Sequence, residues 1–486
     1  MSRLPLVPLT TLCFSLLTAA CIDGGLNQNE QRPGNQEDGT SLVFGDVAVD
    51  PSGRYFLSRS DDQLLYGDIE TGRAHLLPGL AAPLRVAFSH GRELIYLTES
   101  RQPSAGDGLS GDHLVAYETV SEQLLWEREI DIEARYLLGR AEPVSLPRIQ
   151  ATEDDRLLIA AAYDSVEIID VQSGETLERL EFDRQVVDFD VIPPAEAESP
   201  RMIITLEHAW IDPPVEGEPE NPEDPPPEAE ATPETELVLV DLDTFAQTSL
   251  LVPNCADELV VAPSGRRAFL APTECAKDPV SVIDLEAEAF IRNLPGFGPV
   301  GIAPRGEVAI AFIDTENVDE SLFLEGEAPP TGDERYHLMV IDAETLAFDT
   351  IALGDSLPRY ALTADGEIVL IDASSWFVDG KLRILDVKDR ALYPIDGPDV
   401  RLNNYVIAAE SQRIFLIEDG LYDLSIAERL VKSVPLAFVP THLNITPDDR
   451  YLVLREDPQS LWIYDVAAAA IARPVEIVGQ SQEADG

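Results

Sequence analysis

The stretch "VAVDPSGRYFL" (residues 47–57) decides the fold, because close variants of it return twice along the chain. "VVAPSGRRAFL" occupies residues 260–270, and "NITPDDRYLVL" occupies residues 444–454. Each consists of alternating apolar residues, a turn rich in Pro, Ser, Asp and Gly, and a second apolar run. This pattern predicts a β-hairpin.

Nine turns of this kind follow one another along the sequence, the fourth of them looser than the rest. They begin at residues 50, 89, 152, 193, 262, 303, 363, 409 and 446. After each hairpin comes a third apolar strand that ends in or near an acid, then a further turn and a fourth strand. The third-strand acids are Asp68, Glu118, Asp170, Asp241, Asp284, Asp342, Asp386, Asp423 and Asp465.

A four-stranded unit repeated in this way predicts an all-β protein, a β-propeller of four-stranded blades. One blade cannot bury both of its faces, so blades stack radially and each covers its neighbour. We expect eight or nine blades, and seven is also compatible with the pattern. Nine follows if every unit forms a blade, and eight if the unit at 193–252 or at 405–437 is irregular.

The fragment "VSVIDLEAEAF" (280–290) resembles the YVTN-type repeat and, more distantly, the blades of WD-repeat proteins. The Trp-Asp dipeptide of WD repeats is absent. "HLVAYETVSEQLLWERE" (113–129), with Trp126, resembles the quinoprotein-type blade of some barrel-assembly lipoproteins. The resemblance extends over nearly all of residues 43–479. It implies a propeller fold and does not by itself imply a function.

Residues 1–20, "MSRLPLVPLTTLCFSLLTAA", have the features of a targeting segment: an early Arg, an apolar run and small residues at the end. The following Cys21 resembles the cysteine of bacterial lipoproteins, which becomes the lipidated N-terminus after cleavage. Thr18 departs from the Leu that is usual three residues before it. We therefore expect a lipoprotein signal peptide, with ordinary secretion and a retained anchor as the alternatives.

Residues 21–42 are expected to form a flexible tether, because they contain little that could be buried. The propeller then occupies 43–480, and 481–486 form a tail. This organisation places the protein in the bacterial cell envelope, in the periplasm or at the cell surface. The residue after the cysteine, Ile22, favours the outer membrane over the inner one.

Two cysteines remain after the signal peptide and the lipidated cysteine are set aside. Centring the hairpin between Ser264 and Gly265 places Cys255 and Cys275 opposite each other to within one residue. An oxidising compartment and this spacing predict a disulfide between them. Two free buried thiols are the alternative.

The charge of the chain restricts its partners, because 89 acidic residues face 34 basic ones and the net charge is −55. Such a surface repels phosphate groups, so nucleic acid and anionic lipid are excluded as main partners. We expect membrane contact through the N-terminal lipid alone, and a monomer. The acidity is either an adaptation to the environment or a means of attracting cations and basic partners.

Insertions between the second and third strands distinguish the blades. They occupy residues 99–112, 211–236, 314–336 and, shorter, 372–380, and all of them are expected to open on one face of the propeller. Residues 211–236 hold ten carboxylates, eight prolines and no basic residue, so we expect a disordered acidic arm. "SLFLEG" (321–326) gives another insertion an apolar centre that either packs on the rim or docks a partner.

The candidate ligand residues lie in or beside these insertions. They are Glu207, His208, Trp210, Asp314, Glu316, Asp319, Phe323 and Trp376. Alternating carboxylates in "DTENVDE" (314–320) resemble a calcium loop without its glycine and distal glutamate, so Ca²⁺ is only weakly indicated and no cofactor is predicted. His208 is more readily explained as a structural residue at a strand end.

Motifs that carry catalysis are absent from the sequence: there is no HExxH, no G-x-S-x-G and no phosphate-binding glycine loop. No catalytic residue is therefore assigned. The leading hypothesis is a non-enzymatic scaffold that binds envelope proteins or glycans through the face with insertions. The alternative is a propeller-type envelope enzyme, such as a lactonase, a hydrolase or a quinoprotein-like enzyme, with its site at the mouth of the channel.

Overall fold

The computed structural model describes most of the chain between residues 47 and 478. The described part excludes residues 61–62, 78–82, 91–93, 101–111, 122, 131–147, 163, 194–198, 208, 212–231, 257, 273–278, 304, 306, 332, 356, 373–381, 403, 409 and 458–459. The expected signal peptide, Cys21, the tether and the tail therefore lie outside the described residues. Within those residues, no helix has the length and apolar character needed to cross a membrane.

In the described part of the chain, thirty-eight strands form nine sheets, one for each sequence unit, and each sheet is a propeller blade whose four main strands are antiparallel. Blade 1 comprises β1 (Val47–Val49), β2 (Tyr55–Ser60), β3 (Gln63–Asp68) and β4 (Arg73–Leu76). Blade 2 comprises β5 (Pro83–Phe88), β6 (Leu94–Ser100), β7 (Asp112–Glu118) and β8 (Gln123–Ile130). Blade 3 comprises β9 (Arg148–Ala151), β10 (Leu157–Ala161), β11 (Ser165–Asp170) and β12 (Thr176–Glu181).

The middle blades carry the additional elements. Blade 4 comprises β13 (Val186–Ile192), β14 (Arg201–Leu206), the short β15 (Ala209–Ile211), β16 (Thr232–Asp241) and β17 (Gln247–Val252). Blade 5 comprises β18 (Glu258–Val261), β19 (Arg267–Ala271), β20 (Val280–Asp284) and β21 (Ala289–Leu294). Blade 6 comprises β22 (Phe297–Ile302), β23 (Val308–Asp314), the 3₁₀ turn η1 (Glu320–Leu322), β24 (Tyr336–Asp342) and β25 (Phe348–Gly354).

The last three blades complete the ring. Blade 7 comprises β26 (Arg359–Leu362), β27 (Ile368–Asp372), β28 (Leu382–Asp386) and β29 (Ala391–Pro394). Blade 8 comprises β30 (Tyr405–Ala408), β31 (Arg413–Ile417), β32 (Leu421–Ser425) and β33 (Leu430–Val434). Blade 9 comprises β34 (His442–Ile445), β35 (Tyr451–Asp457), β36 (Ser460–Asp465) and β37 (Ala470–Pro474), and β38 (Glu476–Val478) follows it.

These sheets confirm the predicted propeller and decide the number of blades as nine. All nine predicted turns lie between the first and second strands of a blade. In blade 5, Glu258 pairs with Ala271 and Leu259 with Leu270, which is the register predicted from a hairpin centred between Ser264 and Gly265. Both weaker units, 193–252 and 405–437, form complete blades.

The repeated turn phrase is explained by backbone hydrogen bonds that close the hairpin. In blade 5, Gly265 N–H donates to Ala262 O at 2.8 Å, and Ala262 N–H donates to Arg267 O at 2.8 Å. Gly265 has a φ of +66°, which a residue with a Cβ adopts only under strain. Glycine therefore suits this turn position, and the same pair of hydrogen bonds recurs in blades 1, 3, 7 and 9.

The turn position also touches the preceding blade. A Cβ on Gly265 would lie 2.6 Å from Pro193 O of blade 4. In blade 3 the equivalent residue is Asp155, with a φ of +51°, and its Oδ1 accepts a 2.7 Å hydrogen bond from His90 N–H of blade 2. Aspartate tolerates this conformation better than most residues, and here its carboxylate links two blades.

Most of the third-strand acids have a structural role in the turn to the fourth strand. Asp342 Oδ1 accepts a hydrogen bond from Thr345 N–H at 2.7 Å, and Asp68 Oδ1 accepts one from Thr71 N–H at 2.7 Å. The same contact is made by Asp170, Asp241, Asp284, Asp386 and Asp465. In blade 8 the acceptor is Ser425 instead, and Asp423 pairs with Arg413.

The core is divided into nine apolar clusters among the described residues, and each cluster lies between two neighbouring blades. One of them joins blade 9 to blade 1 through Val47, Phe56, Val453 and Ile463, so the ring is closed. At the outer edge of this junction, β38 pairs in parallel with β4 as a fifth strand of blade 1. Burial of apolar area between blades is thus the main force that holds the ring together.

The propeller has two faces, because the four strands of a blade alternate in direction. The turns between first and second strands and between third and fourth strands lie on one side, which we call the hairpin face. The loops between second and third strands and the connections between blades lie on the other side, the insertion face. All four insertions predicted from the sequence interrupt their blades between the second and third strands, hence on the insertion face.

Candidate interaction face

The insertion of blade 6, residues 315–335, is described by the structure except for residue 332, and we call it the lip. Two apolar side chains of the lip pack against the propeller. The ring of Phe323 lies 6.1 Å from that of Phe348 on the outer strand β25, and Val318 packs against the core between blades 5 and 6. Phe323 of the apolar centre thus packs on the rim, whereas its neighbour Leu324 is exposed.

A bidentate ion pair ties the lip to the neighbouring blade. Arg292, on the outer strand β21 of blade 5, donates to Glu327 Oε1 at 2.9 Å and Oε2 at 3.0 Å, and also to Leu322 O at 3.0 Å. Hydrogen bonds from Arg292 lower the pKa of Glu327 below its ordinary value, against the opposing effect of burial. The lip therefore spans the outer edges of two blades and leans away from the central channel.

Asp314 stands at the base of the lip, where a calcium ligand was considered. Arg335 donates to both of its oxygens, at 3.0 Å and 2.7 Å, and Asn317 donates to Oδ2 at 2.7 Å. Burial alone would raise the pKa of Asp314, but these hydrogen bonds outweigh it and lower the pKa below its ordinary value. The carboxylate closes the base of the loop.

The other two acids of this segment are also engaged within the lip. Glu316 forms an ion pair with Arg335 at 3.0 Å, and Asp319 accepts a 2.9 Å hydrogen bond from Ser321 N–H at the start of η1. That backbone hydrogen bond lowers the pKa of Asp319. Among the described residues, no group of three or more His, Cys, Asp or Glu side chains is placed to hold a metal ion.

Blade 4 presents a different structure on the same face, a two-stranded ribbon formed by β15 and the start of β16. Ala209 pairs with Glu234, and Ile211 pairs with Thr232. This ribbon extends blade 4 on the insertion face, past the end of its second strand. Arg184 braces the ribbon through an ion pair of 3.1 Å with Glu236. The ribbon carries the acidic segment 212–231 at its end, which lies outside the described residues.

The structure describes the remaining candidate residues only in part. Glu207 is exposed at the base of the ribbon, and its N–H donates to Gln185 O at 2.7 Å. Of Trp210 only the backbone is described, and His208 and Trp376 lie outside the described residues. Since blade 5 separates the ribbon from the lip, the structure does not bring Glu207 and Asp314 into one site.

Cys255 is fully buried in the connection between blades 4 and 5. Its expected partner, Cys275, lies in segment 273–278, outside the described residues. The disulfide therefore stays a prediction. Residues 272–279, which include Cys275, connect the second and third strands of blade 5.

Three exposed apolar side chains lie on the insertion face, and the sequence singled out the segment of only one of them, Leu324. Leu324 of the lip is 55% exposed, Leu357 between blades 6 and 7 is 46% exposed, and Val439 between blades 8 and 9 is 50% exposed. All three lie in loops or connections of the insertion face. Exposed apolar side chains in loops are typical of interaction surfaces. The insertion face is not alone in having them, because Val120 on the hairpin face is 60% exposed. Only burial in three dimensions identifies them.

Polar side chains on the first strands were also missed, and they join blades near the channel. Asp188 Oδ2 of blade 4 accepts a hydrogen bond from Leu259 N of blade 5 at 3.1 Å. Gln150 of blade 3 donates to Asp190 Oδ1 at 3.3 Å. The spacing of the two aspartates in "VVDFDVI" (186–192) places both on one face of the strand, which is the signal that could have found them.

Comparisons with known proteins find solved structures of low similarity. No protein-family model and no curated protein matches the chain. Among solved structures, the Dos1 propeller is 10% identical and has a TM-score of 0.43, with 87% of this chain and 92% of that chain covered. The dihydro-heme d1 dehydrogenase NirN is 12% identical and has a TM-score of 0.44, with 92% of this chain and 75% of that chain covered.

A third similar structure is the β-propeller domain of Cps50 (Swd1) from Myceliophteria thermophila, at 13% identity and a TM-score of 0.35. The match covers 71% of this chain and 93% of the Cps50 domain. Likeness at this level assigns no activity to the chain. The nine-bladed fold rests on the strand pairings of this protein itself.

Proposed function

We propose that this protein is a lipid-anchored propeller of the bacterial cell envelope that binds envelope proteins or glycans and catalyses no reaction. The observation that carries the proposal is the asymmetry between the two faces. The hairpin face consists mainly of short repeated turns, whereas the insertion face carries loops of different length, among them the lip with the exposed Leu324. Loops on a rigid scaffold are where binding surfaces usually arise.

The chemistry of the lip supports binding over catalysis. The carboxylates of Asp314, Glu316 and Asp319 are held by arginine or by backbone N–H groups within the lip. The pKa values of Asp314 and Asp319 are lowered, so these groups stay ionised at neutral pH and do not behave as general acids. Rigid charged loops with an exposed apolar residue suit recognition of another surface.

The anchor follows from the sequence, in which Cys21 comes directly after the targeting segment. Replacement of the cysteine, Cys21→Ala, should prevent acylation and move the protein from the membrane fraction to the soluble envelope fraction. Fractionation with fatty-acid labelling measures both effects. A wild-type protein that carries no acyl chain would contradict the anchor.

Binding is tested by affinity capture from envelope extracts. Two variants alter the insertion face: replacement of residues 212–231 by the dipeptide Asn-Gly, which leaves a two-residue turn between β15 and β16, and Leu324→Asp. The matched control is Val120→Asp on the hairpin face, where Val120 is 60% exposed. We expect the first two to lower partner recovery by about tenfold, the effect of losing one strong contact, and the control to leave it unchanged. Equal recovery by all proteins would refute this use of the face.

A further inference from the structure

The direction of β1 decides where the N-terminal tether joins the propeller. β1 is antiparallel to β2, with Val47 opposite Ser58, and β2 runs toward the loop between second and third strands. The first residue of β1 therefore lies on the insertion face. The tether leaves the ring on the same side as the lip and the ribbon.

The junction of tether and propeller is a rigid part of the molecule. Val47 is 6% exposed, and its carbonyl oxygen accepts a 3.1 Å hydrogen bond from Asn444 Nδ2 of blade 9. Close by, Arg455 Nη1 donates to Ser58 Oγ at 3.0 Å, and both side chains are buried. These contacts belong to the seam that closes the ring, so they hold the junction in place.

The tether is short relative to the propeller. Twenty-six residues lead from Cys21 to Val47, and if they form the flexible tether expected from the sequence, its average end-to-end distance is about 25–30 Å. A strand such as β2, from Tyr55 to Ser60, adds about 20 Å between the two faces. An anchor at Cys21 thus keeps the insertion face closer to the bilayer than the hairpin face.

Charge limits how close the propeller comes to the bilayer. A net charge of −55 repels anionic head groups within roughly the Debye length, about 8–10 Å at physiological salt. The face is therefore held near the membrane without lying flat on it. The remaining gap is open to protein segments that stand out of the same bilayer.

Building on the proposed lipid anchor, we infer that the insertion face is turned toward the membrane and that its partner is a protein held in that membrane. Leu324, Leu357 and Val439 supply apolar contacts for such a partner. A large soluble macromolecule would have to enter the gap between propeller and bilayer. The geometry therefore favours the membrane-held protein over soluble protein or free glycan.

Orientation is measured with the full acylated protein in vesicles that contain acceptor-labelled lipid. A donor dye is attached through an azide-bearing residue at position 324 or at position 120, two exposed apolar sites on opposite faces. We expect energy transfer at least about twofold stronger from position 324, because that face is about 20 Å closer. Equal or weaker transfer from position 324 overturns the orientation. Protein that fails to bind the vesicles refutes the anchor and with it the inference.

The class of partner is tested by photo-crosslinking in intact cells from the same two positions. We expect protein adducts from position 324, several-fold more than from position 120, that remain in carbonate-washed membranes. They should disappear in Cys21→Ala. Adducts to soluble protein or glycan alone would overturn the partner class while leaving the anchor untouched. No adduct from position 324, with dye transfer as expected, would also overturn it.

Discussion

Blade 5 passes from its first to its second strand through residues 262–266, whereas blade 6 passes from its second to its third strand through residues 315–335. The short turn is closed by backbone hydrogen bonds within it, and it packs on the turn of the preceding blade. The lip is held by Arg292 and Phe348, which lie outside it in the sequence. The comparison teaches that the hairpin face maintains the ring, while the insertion face is free to differ from blade to blade.

The largest effect is expected on the hairpin face, from Gly265→Ala. The new Cβ would meet Pro193 O at 2.6 Å, and the residue would keep a φ of +66°, so the loss in free energy of unfolding should be about 3 kcal/mol. The control is Gly326→Ala in the lip, with a φ of +96° and nothing within 4 Å of the added Cβ. It should cost less than half as much. Denaturant midpoints measure both, and equal losses would break the comparison.

A moderate and local effect is expected on the insertion face, from Glu327→Gln. The loss of the bidentate pair with the largely buried Arg292 should weaken the attachment of the lip by about 1–2 kcal/mol and raise hydrogen exchange there roughly 5–30-fold. Because folding lowers the pKa of Glu327, this attachment is present above the unfolded value near 4.5 and is lost as pH falls through the folded value.

The control for the lip is Glu344→Gln, which removes an ion pair with Arg266 at 3.9 Å. Both side chains of that pair are about two thirds exposed, so hydrogen exchange in the lip should not change measurably in Glu344→Gln. If Glu327→Gln leaves the lip as protected as in the wild-type protein, the ion pair does not hold it. The lip would then depend on Phe323 and Val318 alone.

The smallest effect is expected directly below the lip, at His337 on β24. The ring is 2% exposed, neither nitrogen has a hydrogen-bond partner among the described residues, and burial lowers its pKa against the attraction of Glu334. The unfolded chain therefore binds a proton first, and stability falls as pH drops below about 6.5 toward the folded value. His337→Leu should gain about 1 kcal/mol at pH 7.5 and reduce that fall.

His337→Gln is the control for that prediction, because it keeps polar atoms in the pocket but does not titrate. It should reduce the pH dependence without the gain at pH 7.5. Thermal unfolding between pH 5 and 8 separates the two variants. If the free energy of unfolding of the wild-type protein does not change over this pH range, burial of His337 does not lower its pKa.

Much of the framework is readable from local patterns. The nine turns, the acids after the third strands and the register around Ser264 and Gly265 all depend on contacts between residues close in sequence. Their regular recurrence predicts the propeller. The choice between eight and nine blades depends on weak units such as 193–252, whose strands are recognisable only after they pair.

The candidate site was less predictable. In sequence, the alternating acids of "DTENVDE" resemble a metal-binding loop. In the structure, Asp314 instead accepts a hydrogen bond from Arg335 across the base of the lip. Phe323 packs against Phe348 on the outer strand β25, and local sequence patterns do not predict this contact. Exposure of Leu324 follows from this packing, since one side chain of the apolar centre turns inward and its neighbour outward.

By itself, the sequence determines that four-stranded units recur and where each chain reversal lies, because a turn is governed by hydrogen bonds over a few residues. It also determines the strongly acidic charge and supplies the features that predict an anchor. Only the tertiary structure decides that the ring closes after nine blades, through Asn444 and Val47, and that the lip leans over blade 5. Those outcomes depend on packing between distant segments, which becomes favourable only once neighbouring blades are in place.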